Sequence, residues 1–132
     1  MRLRGTTVLL VEDDIDNLEM LADCLKAEGA LVLPAASHGR ALAAAAAQGF
    51  DVLITDLELP DGDGLSLPRE LRELRGLPTL PAIAISGYSA PEWQTRVQTS
   101  GFQRYAVKPF AIAALVDWVA QLSAAAQRDE RA

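Results

Sequence analysis

DVLITDLELPDGDG, residues 51–64, decides the reading of this chain. Its apolar run VLIT does not alternate with polar residues. Such a run suits a strand buried on both faces, as in a parallel sheet covered by helices. It is followed by one carboxylate, Asp56, and then by a loop of Pro, Asp and Gly. A lone carboxylate at the mouth of a buried strand is costly without a partner, so Asp56 is the first candidate for chemistry.

The same arrangement repeats on either side. Gly29, Gly49, Gly76 and Gly101 each follow a helix-like segment and precede a strand-like one, and glycine is favoured just past a helix end. Helices are expected over 15–28, 39–48, 65–75, 91–100 and 110–125. Strands are expected over 7–11, 30–33, 51–55, 81–85 and 105–107. Five βα units with right-handed connections predict a doubly wound α/β domain. It has a five-stranded parallel sheet in the order 2-1-3-4-5 and five helices. One domain is expected over residues 1–126, with a polar tail at 127–132. Leu18, Leu21 and Leu25 share a face of the first helix. Ser89 and Glu92 have capping-box spacing, with Pro91 in the first turn, and the alanine run 43–47 reads as plain helix.

Composition narrows the function classes. The 132 residues carry a net charge of −6, which opposes direct nucleic-acid binding. Arg69, Arg72 and Arg75 share a helix face, read as a solvated surface. No run approaches the about 18 apolar residues of a membrane helix, and residues 1–4 do not make a signal peptide; a cytoplasmic chain without membrane contact is expected. Cys24 is the only cysteine and His38 the only histidine. Cys24 reads as a small core residue and His38, after Ser37, as part of a helix start.

Ligands bind beyond the carboxyl ends of strands in open α/β sheets. The first strand ends in Glu12, Asp13 and Asp14, the third in Asp56, the fourth in Ser86 and the fifth in Lys108, while the second brings only Leu33, Pro34 and Ala35. With the second strand at the edge, the other four ends converge. Crowded carboxylates call for a cation, and an all-oxygen set suits Mg²⁺ or Mn²⁺. Asp14 is assigned to the helix N-terminus, where its charge meets the helix dipole.

Together, VLLVEDD, DVLITDLELPDGDG, AISGY and YAVKPF resemble, in order, the motifs of the receiver domain of two-component response regulators, over residues 8 to about 122. The resemblance implies a phosphoacceptor in a phosphorelay. Asp56 would take the phosphoryl group from a phosphohistidine. Asp13 would ligate the metal and Glu12 assist indirectly, with the Glu58 backbone carbonyl as a further ligand. Ser86 and Lys108 would bind the phosphoryl group. Ser86 and Tyr105 would form the switch, Tyr105 turning in from solvent behind a moving Ser86. Implied partners are a histidine kinase or histidine phosphotransfer protein, and a downstream protein docking on the face of the fourth helix, fifth strand and fifth helix, where Trp93 and Trp118 are candidate contacts. The opening LRGTTVLLVEDD is similar to receivers of hybrid sensor histidine kinases. The protein is thus expected to be a stoichiometric acceptor that assists its own phosphorylation and dephosphorylation, not an enzyme. The other readings are a flavin-binding flavodoxin-like module, an aspartyl-phosphate-forming phosphohydrolase, and a receiver that docks partners without phosphorylation. The acidic loop EDDID argues against flavin phosphate. Glu58 stands where the haloacid dehalogenase superfamily has its acid-base Asp.

Overall fold

The computed structural model describes the backbone of residues 1–131 and the side chains of residues 1–123, so the expected tail at 127–132 lies outside the described side chains. Five strands, β1 (Thr7–Val11), β2 (Leu31–Ala35), β3 (Val52–Asp56), β4 (Ala82–Ser86) and β5 (Arg104–Val107), form one parallel sheet in the order β2-β1-β3-β4-β5. Helices α1 (Ile15–Ala27), α2 (His38–Ala47), α3 (Leu67–Arg75), α4 (Pro91–Thr99) and α5 (Ile112–Arg131) alternate with them. The expected fold and strand order are both present.

Strand alternation divides the core into two layers. Val8, Leu10, Val52, Ile54, Ile83 and Ile85 face Leu18, Leu21 and Leu25 of α1 and Leu115, Val116 and Val119 of α5. Leu9, Val11, Leu53, Ala82 and Ala84 face Ala41 and Ala45 of α2, Leu71 of α3 and Val97 of α4. β3 and β4 are buried along their whole length, which is why their sequences show apolar runs without alternation. The alanine-rich α2 lets its helix sit close to the sheet, since Ala41 and Ala45 are fully buried. The register sets Val11 beside Thr55, Asp56 beside Ile85 and Ser86 beside Val107, so the carboxyl ends of these four strands lie level.

Several local expectations change. Helix α3 is preceded by a 3-10 turn, Gly64–Ser66, because the Asp63 side chain accepts from the Leu65 amide and starts the turn early. The Ser89–Glu92 capping box is not formed: Ala90 is the N-cap, with no side-chain bond, ahead of Pro91. Gly29, Gly76 and Gly101 have positive φ, as expected after helices, but Gly49 does not, because α2 ends on an extended Gln48. Cys24 is half-buried beside α5, not in the core. Trp93 and Trp118 are each partly buried against the two core layers.

The arginine face is not simply solvated. Arg72 donates from Nε and Nη2 to the Leu80 carbonyl at 3.1 and 2.8 Å, and from Nη2 to the Gly101 carbonyl at 2.6 Å. Arg75 reaches the Ala45 carbonyl of α2 at 3.1 Å. The Leu80 and Gly101 carbonyls lie in loops and the Ala45 carbonyl in the last turn of α2, and the long side chains satisfy them. Arg69 alone of the three is exposed. Arg72→Ala should lower the unfolding free energy by about 1–3 kcal/mol in urea titrations followed by circular dichroism. Arg72→Lys should recover little of it, because an ammonium cannot reproduce the planar fork.

Candidate functional site

Glu12 and Asp13 follow β1, Asp56 closes β3, Ser86 closes β4 and Lys108 follows β5. Glu12 and Asp56 are buried while Asp13 is exposed at the rim. The three carboxylates each offer an oxygen within 4.8 Å of the others. Lys108 Nζ lies 2.6 Å from Asp56 Oδ2 and 3.4 Å from Glu12 Oε2. The Glu58 amide donates to Asp56 Oδ1 at 2.8 Å. Both oxygens of the central carboxylate are therefore held, one by a charge and one by a peptide N–H.

The loop after Asp56 turns back sharply to make this possible. Glu58–Leu59 pairs antiparallel with Gly62–Asp63 in a two-residue hairpin. A Cβ at Gly64 would stand 2.3 Å from the Asp56 carbonyl oxygen, so only glycine fits where the chain passes behind the acceptor. Asp14, as expected, caps α1 and accepts from the Asn17 amide at 3.1 Å.

Electrostatics mark the same place. Burial, reinforced by the neighbouring Asp56 carboxylate, pushes the Glu12 carboxyl up from 4.5 to about 7, although Lys108 opposes the shift. For Lys108, burial pulls the ammonium down, but Asp56 and Glu12 outweigh it and the net shift is upward. With Glu12, Asp13 and Asp56 all ionised, as metal ligation would require, one ammonium leaves two negative charges uncompensated. With oxygen donors only, the set fits a hard divalent cation such as Mg²⁺.

Ser86 is fully buried, and its Oγ accepts from the Tyr88 amide at 3.0 Å. The Tyr105 hydroxyl donates to the Tyr88 carbonyl. Tyr105 is thus already turned inward and half-buried against the core, where a solvent-facing ring was expected; the Tyr88 carbonyl gives its hydroxyl a partner there. Tyr88 stacks on Trp93 with centroids 4.4 Å apart. The Arg96 guanidinium lies 4.3 Å from the centre of the Trp93 ring. The Tyr88 phenol is pushed up by burial and then by the nearby Glu58 carboxylate. Sequence reasoning missed the Tyr88–Trp93 stack, since their spacing of five residues across a loop and a helix start carries no pattern.

Residues 8–120 match the model of the response regulator receiver domain. The chain belongs to this family. The receiver is 36% identical over 110 residues to the KDP operon transcriptional regulatory protein KdpE of Escherichia coli, covering 83% of this chain and 48% of that protein. It spans about half the length of several such curated regulators. A CheY-like receiver structure from Methanospirillum hungatei superposes with a TM-score of 0.85 at 27% identity, covering 94% of this chain and 98% of that one. The receiver domain of sensor histidine kinase PA1611 from Pseudomonas aeruginosa superposes at 0.81 with 28% identity, over 91% of this chain and 98% of that one; it holds a magnesium ion in its active-site cleft. Receiver domains bind Mg²⁺ at an acidic pocket, and Glu12, Asp13 and Asp56 form such a cluster here. Among the described residues, no helix is long and apolar enough to cross a membrane.

The raised Glu12 gives a pH prediction for the metal-free receiver. Below pH 4.5 the residue is protonated folded or unfolded. Between 4.5 and about 7 the folded form keeps a proton that the unfolded chain releases. Stability must then fall as pH rises through that window. In EDTA, thermal melts of the parent should lose stability from pH 4.5 to 7 relative to Glu12→Gln. Parallel profiles for the two proteins would contradict it.

Proposed function

We propose that this receiver accepts a phosphoryl group from a phosphohistidine onto Asp56. The observation that carries the reading is the Lys108–Asp56 contact of 2.6 Å inside a buried carboxylate cluster. The Asp56 carboxylate attacks phosphorus in line. The P–N bond to the donor imidazole breaks, the ring nitrogen leaves with the bonding electron pair, and an acyl phosphate forms. Such transfers depend mainly on positioning and on charge neutralisation at the equatorial oxygens. Asp13, Asp56 and the Glu58 backbone carbonyl would hold Mg²⁺ or Mn²⁺, with Glu12 acting indirectly. When bound, the cation neutralises phosphoryl-oxygen charge. Lys108 moves from Asp56 to a phosphoryl oxygen, and Ser86 donates its hydroxyl to another.

That hydroxyl now accepts from the Tyr88 amide, so recruiting Ser86 withdraws a support of the β4–α4 loop. Tyr88, Trp93 and Tyr105 then rearrange together, and the α4-β5-α5 face changes shape for a downstream protein. Ser86 and Tyr105 are the switch, as a local charge change acting on a two-state element. The phosphoryl donor is a histidine kinase or a histidine phosphotransfer protein. The acting unit is residues 1–126, working in the cytoplasm as a stoichiometric acceptor.

Mass spectrometry after acetyl phosphate and Mg²⁺ tests this. The parent should gain one phosphoryl mass, with none on Asp56→Asn and little after EDTA. Lys108→Ala should be labelled at least about tenfold more slowly, the cost of one lost charge-assisted contact. Equal labelling of the parent and Asp56→Asn would overturn the proposal. Multiple turnover of a phosphate ester would favour the phosphohydrolase reading instead.

A further inference from the structure

The hairpin after the acceptor poses a physical problem. A two-residue ladder, Glu58–Leu59 against Gly62–Asp63, cannot hold itself in water. Residues 58 and 60–63 are exposed and only the partly buried Leu59 of the hairpin packs against the core, so burial contributes little. Yet this hairpin starts at Glu58, whose amide fixes Asp56 Oδ1 at 2.8 Å.

Asp63 and Gly64 secure the hairpin's own base, and its hydrogen-bonded tie to α2 comes from Asp61 at the tip. One Asp61 oxygen accepts from the His38 amide at 2.8 Å and the other from the Gly39 amide at 2.9 Å. These are the first two residues of α2, whose amides have no partner within the helix. The helix's own cap, Ser37 Oγ, serves Arg40 at 3.1 Å and leaves both amides to Asp61. The two surfaces fit closely. A Cβ at Gly39 would come 3.3 Å from Asp61 Oδ2, and one at Gly62 would come 3.1 Å from the His38 ring. The clasp is extended by His38 Nε2, which lies 2.6 Å from Glu70 Oε2 in the first turn of α3. The Gly39 and His38 amides also hold the Asp61 carboxyl below its ordinary range.

We infer that Asp61 is a positioning residue for the Asp56 site, acting through the Glu58 peptide by pinning the hairpin to the start of α2. This deepens the reading of Asp56 and Glu58 given above and rests on it. The Glu58 N–H orients the acceptor, and its carbonyl is the proposed backbone ligand. A hairpin released at Asp61 would let that peptide swing, loosening both at once.

Mg²⁺ titration of the full chain, followed by tryptophan fluorescence or calorimetry, tests the inference. Asp61→Ala should weaken Mg²⁺ binding by about tenfold, the scale on which supporting contacts act on a metal site. Asp61→Asn, which keeps one acceptor oxygen, should recover most of it. Ser37→Ala supplies the control, because it removes the cap of α2 and leaves the hairpin contact intact; it should bind Mg²⁺ like the parent. Amide resonances of His38, Gly39 and Glu58 should move together in Asp61→Ala. Parental Mg²⁺ affinity in Asp61→Ala, or an equal loss in Ser37→Ala, would overturn the positioning role while leaving the proposed function standing. A parent that binds no Mg²⁺ would overturn the proposed function and this inference with it.

Discussion

Like charges forced together at the carboxyl edge of the sheet are the constraint around which the rest is arranged. Glu12 and Asp56 are buried, and Asp13 adds its charge at the rim. Among the described residues only Lys108 opposes them directly, at 2.6 Å from Asp56 and 3.4 Å from Glu12. In low-dielectric surroundings such repulsion is strong, and it adds to burial, the larger cause, in pushing the Glu12 carboxyl up. The domain tolerates the arrangement because β1, β3, β4 and β5 are locked in register by two apolar layers. The core thus stabilises a site that would otherwise disperse. A site held under repulsion gains most from whatever brings positive charge into it, and the proposed function uses that tension.

Much of this is legible in the order of the amino acids alone. The apolar runs of β1, β3 and β4 imply a parallel sheet because burial on both faces removes alternation. The residues that close or follow β1, β3, β4 and β5 point to Glu12, Asp13, Asp56, Ser86 and Lys108, since position after a strand fixes position at the sheet edge. Asp14 can be set apart as a cap, because cap chemistry is local. What escapes is non-local. The Arg72 side chain spans from α3 to the Gly101 carbonyl, and nothing near Arg72 announces that carbonyl. The clasp of Asp61 on α2 joins residues 22 and 23 positions apart. Ser89 fails as a cap because Pro91 begins α4 one residue later than the capping box requires. The inward Tyr105 depends on a backbone carbonyl, that of Tyr88, which no sequence pattern displays.

The two loops flanking Asp56 differ in how they are held, and this difference decides where a change at the site can travel. On the β3–α3 side, Asp61 grips two amides of α2, Asp63 caps the 3-10 turn and Gly64 is wedged against the Asp56 carbonyl. Moving that loop would cost several hydrogen bonds at once. On the β4–α4 side, the loop over residues 87–90 rests on one bond from the Tyr88 amide to Ser86 and one from Tyr105 to the Tyr88 carbonyl. Helix α4 beyond it has nine residues, no side-chain N-cap and one fully buried anchor, Val97. Short helices draw their stability from packing, and elements with few buried contacts open at low cost. A displacement at Ser86 therefore meets least resistance toward α4. The Tyr88–Trp93 stack lies along that path and would carry the movement onto the α4-β5-α5 face, while the pinned hairpin keeps the acceptor itself in place.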